Sequence, residues 1–302
     1  MTEISTAIPG WPHLGEVHMG LGPLLWPRLK ALTAGISEFT FAGIYLFRNT
    51  HHYRISDIGH GLLLISGLED GEDFFMLPLG LPGFELLDEF LGAFSFLKNA
   101  SQAQAATLGS AGYRVEADGD NFDYLYEREG LAALDGRKYH KKRNRVRGFL
   151  ARYAPVVKPL GADTADDALR VLEKWREASE TEGDYGPARE AISRMKELGL
   201  SGSVYYVEDI PVAFAIGEPL GRDQFAVHFE KGVPGYPGLL QYVNQSFAAS
   251  LPESVNFINR EQDLGIEGLR HAKLSYRPHS FTKKFRIYSR GRAKDEDPEK
   301  AS

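Results

Sequence analysis

A chain of 302 residues with 43% hydrophobic and 25% charged residues has the make-up of a globular protein and the length of about two average domains. The absence of cysteine excludes disulfides, thiolate nucleophiles, iron-sulfur clusters and cysteine zinc sites together. A net charge of -6 argues against a protein that coats nucleic acid over its whole surface.

The amino end, MTEISTAIPGWPHLGEVHMG, lacks a basic segment followed by an apolar one, so it predicts no secretory leader and a cytoplasmic protein. Leu24 to Leu32 reads as a helix. Short strand-like runs follow at Phe41 to Phe47, Leu62 to Ser66 and Phe74 to Leu77, separated by Gly and Asp turns. None of the apolar stretches approaches the roughly 18 residues of a spanning helix. Helices are expected at Phe84 to Lys98 and Ser101 to Ala111, then a strand at Phe122 to Glu127.

From Gly136 to Tyr153 a helical stripe of Tyr139, Val146, Phe149 and Tyr153 runs beside RKYHKKRNRVR, which holds seven Lys or Arg in eleven residues and no acid. Arg137, Lys138, Lys141, Lys142, Arg143 and Arg145 are spaced to follow a phosphate backbone, with a cross-domain carboxylate cluster as the competing use. After an extended piece between Pro155 and Pro159, a helix carries Ala168, Leu172 and Trp175. Ser203 to Val207, Val212 to Glu218 and Gln224 to Glu230 form an antiparallel meander. Helix Pro237 to Ser250, strand Ser254 to Ile258, helix Leu264 to Leu274 and a strand near Thr282 to Tyr288 complete a mixed α/β order. The tail after Arg290 reads as disordered.

Three constellations could carry chemistry. In FAVHFEKG, period two places Phe225, Val227 and Phe229 on one face and Ala226, His228 and Glu230 on the other, so an imidazole and a carboxylate point the same way. That pair could remove a proton from an attacking amine or hydroxyl, or it could be a satisfied polar pair on a half-exposed sheet. In NREQDLGIEGLRHAKLSY, Asn259, Glu261 and Asp263 end a strand just before a helix bearing Glu267, Arg270 and Lys273 on one face. The amides at that helix start could hold an anion, or Asp263 could be a simple cap. The basic helix is the third. No Walker A, GxGxxG, GxSxG or HExxH motif occurs, and His13/His18 and His51/His52 lack the partners of a metal site, so neither a metal nor a bound cofactor is expected.

The segments YLYEREGLAALDGRKYHKKRNRVRGF (Tyr124 to Phe149) and INREQDLGIEGLRHAKLSYRPHSFTKKF (Ile258 to Phe285), with HFEKG and YPGLLQYVNQSFA between them, resemble the phosphatidylglycerol lysyltransferase C-terminal family. The resemblance runs from about Phe39 to Tyr288. It implies an α/β (α+β) fold of two tandem GNAT-like domains, each a mostly antiparallel sheet flanked by helices. Their expected extents are residues 1–150 and 151–290, with a tail at 291–302.

It also implies an acyltransferase that takes an aminoacyl group from aminoacyl-tRNA to a lipid, peptide or small-molecule acceptor. Glu230, His228 and Asp263 would be catalytic, and Asn259, Glu261, Arg270, Lys273 and Tyr276 would bind substrate, with Lys273 facing the oxyanion. Two departures qualify this: the RxxGxG/A loop that grips coenzyme A is replaced by KGVPGYPGLL, and the membrane-embedded domain of lipid aminoacylating enzymes is not in the sequence. An acetyl-coenzyme A-dependent N-acetyltransferase and a non-catalytic binding module remain as alternatives.

Overall fold

The computed structural model of the chain describes residues 7–179 and 183–291. The expected disordered tail therefore lies, beyond Gly291, outside the described residues. From the amino end the chain forms β1 (Gly15–Glu16), α1 (Gly22–Lys30) and α2 (Phe41–Leu46). The run at Phe41 to Phe47, expected as a strand, is helical. Thr40 caps it by accepting from the Gly43 amide, and every residue of α2 is buried, so the sequence shows no polar period to separate helix from strand.

Strands β2 (Arg54–Asp57), β3 (Leu63–Glu69) and β4 (Glu72–Met76) lead to α3 (Phe84–Ala93), β5 (Phe96–Ala100), α4 (Gln102–Ser110) and β6 (Arg114–Ala117). The expected helix Phe84 to Lys98 stops at Ala93, because its last residues are taken into the sheet as the fully buried β5. Helix α4 begins with a capping box in which Ser101 and Gln104 bond each other's backbone amides.

Next come β7 (Asp123–Glu127), α5 (Arg128–Ala133), α6 (His140–Leu150), β8 (Val156–Pro159), α7 (Ala165–Glu177), α8 (Tyr185–Ser193) and α9 (Met195–Leu198). Helices α8 and α9 have no counterpart in the sequence reading. The meander is β9 (Ser201–Val207), β10 (Ile210–Leu220) and β11 (Gln224–Gly232), followed by α10 (Leu239–Ser250), β12 (Phe257–Asn259), α11 (Glu267–Leu274), β13 (Ser280–Thr282) and β14 (Phe285–Tyr288).

Two compact units result, and they interleave along the chain. Of the described residues, the larger takes Val17–Thr50 and Asp120–Thr282 with Ala7, and the smaller takes Ile8–Glu16, His51–Gly119 and 283–291. The expected division at residue 150 is thereby corrected, since 17–50 and 120–150 fall in the larger unit. The reason lies in strand pairing: β7 and β13 hydrogen-bond into the larger sheet, while β14, two residues after β13, pairs with β5 and β6 in the smaller one. The single strand expected at Thr282 to Tyr288 is accordingly two strands in two sheets.

Within the smaller unit the sheet order is β1-β2-β3-β4-β5-β14-β6, and β4 and β5 form its parallel pair, joined through α3. Within the larger unit the order is β13-β7-β12-β11-β10-β9-β8, with β11 and β12 parallel and joined through α10. Both crossovers open with the same Gly-x-Pro-Gly sequence, Gly80-Leu81-Pro82-Gly83 before α3 and Gly235-Tyr236-Pro237-Gly238 before α10, although Gly83 is extended and Gly238 left-handed. Two mixed sheets of like topology are what a tandem GNAT-like fold requires. In the larger unit, Val146 and Phe149 of α6 and Leu239, Val243 and Phe247 of α10 pack with Tyr126, Tyr205, Ala213, Ala215, Phe225 and Val227 on one side of the sheet. Each fully buried aliphatic or aromatic side chain of such a core contributes about 1.5–3 kcal/mol.

Candidate active site

The site lies within the larger unit, where β11 and β12 separate. Their parallel pairing runs from Gln224↔Phe257 through Ala226↔Asn259 and goes no further, although β11 continues to Gly232. On its other side β11 meets β10 with a register shift: Ile216 faces Phe229 but Gly217 faces Val227, so His228 is the extra residue of a β-bulge. Gly217 is needed there, because a Cβ on it would lie 2.0 Å from the Ala226 carbonyl oxygen.

The bulge breaks the period-two reading of FAVHFEKG. Phe225 and Val227 belong to the α10-side core, and Glu230, opposite the core residue Ala215, is on that side too. His228 instead reaches Glu218, the partner of Ala226, while Phe229 stacks on Phe47. His228 and Glu230, expected on one face, thus occupy opposite faces. Two charged clusters bridge the parting strands, one on each side of the sheet.

On the side away from α10, the His228 ring is engaged at both nitrogens, Nδ1 to Glu261 Oε1 at 2.7 Å and Nε2 to Glu218 Oε1 at 3.1 Å. Burial pulls the imidazole pKa down, but the charges and hydrogen bonds of the two carboxylates outweigh it and raise it to about 10. His228 is therefore a cation at neutral pH and has no free lone pair with which to act as a base. Glu261 adopts a left-handed backbone (φ 55) fixed by its amide donating to Asn259 Oδ1 at 2.8 Å. Asn259 is wholly buried and gives its amide protons to the Gly35 carbonyl and Asp123. It shapes the strand end and does not face a substrate.

On the α10 side, Arg260 reaches across the gap to Glu230, with Nη2 at 3.3 Å from each carboxylate oxygen. The guanidinium sits 5.2 Å from the centre of the Tyr276 ring and 5.9 Å from that of Tyr126. Lys142 comes from α6 to the same ring, its Nζ 3.9 Å from the Tyr276 centroid and donating to Ser275 Oγ at 2.7 Å. Burial, reinforced by repulsion from Arg145 and Arg260, lowers the Lys142 amine to about 8. Gln241, in the first turn of α10, lines an open hollow of about 540 Å³.

That hollow is walled by the segment from Gly232 to the first turn of α10 and by Trp175. Trp175 is held by Lys231, whose Nζ lies 3.9 Å over its ring and bonds Asp184 at 2.6 and 2.9 Å. At Gly238 (φ 93) the turn passes so close to α6 that a Cβ would sit 2.5 Å from the Arg145 carbonyl oxygen. Helix α6 thus braces the turn that walls the hollow with its backbone and sends Lys142 toward the strand gap.

The remaining expected site residues brace this frame. Asp263 accepts from Arg270 Nε at 2.9 Å, Arg270 Nη2 at 2.8 Å, the Tyr124 hydroxyl and the Gly265 amide. Burial pushes its pKa up, yet these bonds together hold it below the ordinary carboxylate range, and no oxygen is left for proton abstraction. Lys273 is buried, with Nζ donating to the carbonyls of Arg260, Glu261 and Gln262 at 2.5, 3.1 and 2.5 Å. The expected oxyanion contact is thereby corrected: the ammonium caps the turn after β12. Burial lowers it to about 8.

The basic helix also divides. Arg143 donates to the carbonyls of Leu134 and Gly136, Lys138 is 3.9 Å from Glu127 and Lys142 turns inward, while Arg137, Lys141, Arg145 and Arg147 are exposed. Arg143 and Lys142 are thus withdrawn from the expected phosphate track. Sequence reasoning overlooked Arg260, Glu218, Gln241 and the hollow. Only Arg260 had a visible signal, since strand alternation sets it opposite Asn259 and Glu261.

A family model described as phosphatidylglycerol lysyltransferase, C-terminal, matches residues 29–288. A conserved protein of unknown function from Bacteroides thetaiotaomicron VPI-5482 shares 25% identity over 91% of this chain and 98% of its own, with a TM-score of 0.82. L-PGS from Bacillus licheniformis shares the fold at 14% identity and a TM-score of 0.57, over 80% of this chain and 85% of that one. An uncharacterized protein of Mycoplasmoides gallisepticum is 25% identical over 174 residues, so the chain spans about half (55%) of that relative's length. With a match spanning both units, the chain belongs to the phosphatidylglycerol lysyltransferase C-terminal family and has its tandem GNAT-like fold.

Proposed function

We propose that this protein transfers an aminoacyl group from aminoacyl-tRNA to a hydroxyl or amine acceptor in the gap between β11 and β12. The observation that carries the reading is the paired carboxylate and guanidinium at the strand separation, with an open hollow that begins two residues further along β11 at Gly232 and helix α6 passing beside the turn that walls it. Exposed Arg137, Lys141, Arg145 and Arg147 would meet the donor's phosphates, and the hollow beneath the α10 turn would admit its acceptor end. Acceptors named by the family description are phosphatidylglycerol lipids, and a hydroxyl acceptor of that kind suits the proton inventory of the gap.

Glu230, which faces Arg260 across the gap, receives the proton of the attacking hydroxyl as the new C–O bond forms. Arg260 faces the negative charge that grows on the carbonyl oxygen. That role passes to it because Asp263 already uses the Gly265 amide and the Asp263 carbonyl the Ile266 amide. When the tetrahedral adduct collapses, the ester bond to the donor ribose breaks and the proton on Glu230 passes to the departing ribose oxygen. His228 takes no proton and instead ties β11 to the turn after β12.

Donor identity is tested by thermal stabilisation and direct binding with pooled charged tRNA, uncharged tRNA and acetyl-coenzyme A. Charged tRNA is expected to stabilise the protein, with affinity falling steeply as salt rises. Stabilisation by acetyl-coenzyme A alone would replace this reading with an N-acetyltransferase, and no response to any of them would favour a binding module.

A further inference from the structure

Two aromatic side chains in the wall of the hollow are held in place by residues that do not line it. Trp175, from the last turn of α7, lies under the Lys231 ammonium, whose Nζ is 3.9 Å from the ring centre and is fixed in turn by both oxygens of Asp184. Tyr236 packs edge-on against Tyr153, with ring centroids 5.3 Å apart, and Tyr153 rests on Phe149 at 5.1 Å. The rest of the wall is Gly, Ala, Val, Leu and Pro, with Ser179 and Gln241 as its polar side chains. No Asp, Glu, Lys or Arg is among the described residues that line it.

Such a wall suits a flat, uncharged ring. Aromatic side chains whose orientation is already set lose little entropy when a ring stacks on them, whereas a phosphate, carboxylate or ammonium group would meet no counter-charge there. We infer that the hollow is a nucleobase site, in which an adenine stacks on Trp175 and Tyr236 and is read along its edge by the Gln241 amide. Gln241 selects the base, because a side-chain amide presents a donor and an acceptor together and so matches the N6 amino group and N7 of adenine. The volume, about 540 Å³, lies within the usual range of small-ligand sites.

The position of the hollow gives the base a use. A strand advances about 3.3 Å per residue, so Gly232, where the hollow begins, lies about 7 Å along β11 from Glu230. A ribose bridges such an interval, so an adenosine in the hollow carries an acyl group esterified to its ribose toward Arg260 and Glu230. This placement rests on the proposed transfer reaction, but the base site is measured without it. Adenine ends the acceptor arm of tRNA and also heads coenzyme A, and the test separates the two sources.

The full chain is titrated with adenosine and cytidine, which carry no phosphate for the exposed cations of α6 to attract. Adenosine should quench tryptophan emission, and Trp175→Phe should abolish the quenching although Trp11 and Trp26 remain. By calorimetry the wild type should bind adenosine at least about fivefold more tightly than cytidine, a preference that Gln241→Leu erases. Trp175→Leu should lose at least about fivefold in adenosine affinity, the lower end of what a stacked base loses with its aromatic partner.

Absence of quenching, quenching that survives in Trp175→Phe, or equal affinity for the two nucleosides overturns the base site. Uncharged tRNA that has lost its terminal adenosine should bind at least about fivefold less tightly than intact tRNA, a difference that disappears in Trp175→Leu. If the two tRNAs bind alike while coenzyme A displaces adenosine, the base site stands as a coenzyme A site and the tRNA-dependent reaction fails.

Discussion

Arg260 and Glu230 meet across the gap between β11 and β12, with one guanidinium nitrogen equidistant, at 3.3 Å, from both carboxylate oxygens. They come from strands whose hydrogen bonding has already ended, so this ion pair, shielded from most solvent, closes the α10 side of an opening that the backbone leaves. Removing one partner of such a pair strands the other. Glu230→Ala and Arg260→Ala should each destabilise by about 3–5 kcal/mol in chemical denaturation, and the double variant by clearly less than the sum. Additive losses would show that the two groups act independently.

The clasp on the opposite face predicts a dependence on alkaline pH. The folded pKa of His228, about 10, lies above its ordinary value, so its contribution to stability is complete below about pH 6.5 and is lost as pH rises through about 10. Thermal unfolding should therefore show a decline across that window that His228→Gln lacks. An NMR titration placing the wild-type imidazole below pH 7 would contradict the double carboxylate clasp.

Lys142 should behave in the opposite sense. Its amine is lowered to about 8, chiefly by burial and then by repulsion from Arg145 and Arg260. The charged form is penalised in the folded state, so Lys142 detracts from stability at acidic and neutral pH, and the penalty fades as pH rises from 8 toward 10.5. Arg145→Gln should raise the Lys142 titration, read from isotope-labelled lysine side chains. Lys142→Met should weaken charged-tRNA binding less than loss of exposed Lys141 does, because Lys142 faces Tyr276.

Gly238 tests the junction of α6 with the turn before α10. Alanine there must tolerate φ 93 and a backbone oxygen 2.5 Å from its Cβ, so Gly238→Ala should cost more than about 1 kcal/mol and loosen the hollow. Gly235→Ala meets a similar φ of 95 but no atom within 4 Å, and should cost less. Equal effects would mean that the close approach of α6 is unimportant.

Much of this was legible in the sequence, and the misses have physical causes. Short apolar runs bounded by turns gave the β9 to β11 meander, whose strands are buried on both faces, and helical spacing gave α6, α7 and α10, each with one face in the core. Phe41–Leu46 failed since burial on every side erases the period, and Lys98 was assigned to a helix because the buried β5 continues the apolar run of α3 without a break.

The interleaving of the units could not be read either, since it depends on which sheet β7, β13 and β14 join. Residues 228–230 illustrate the limit most sharply. A one-residue bulge, invisible to alternation, sent His228 and Glu230 to opposite faces, and of the two only His228 lies beside Glu261, 2.7 Å away.

The most direct test is single-turnover transfer from pooled charged tRNA, labelled in the amino acid, to lipid vesicles or a peptide and small-molecule mixture. Wild type should move label into an acceptor product, and Glu230→Gln should do so at least about 100-fold more slowly while still binding tRNA. Label that remains on tRNA with the wild type, or transfer undiminished in Glu230→Gln, would contradict the assignment of acyl transfer to the opening between β11 and β12.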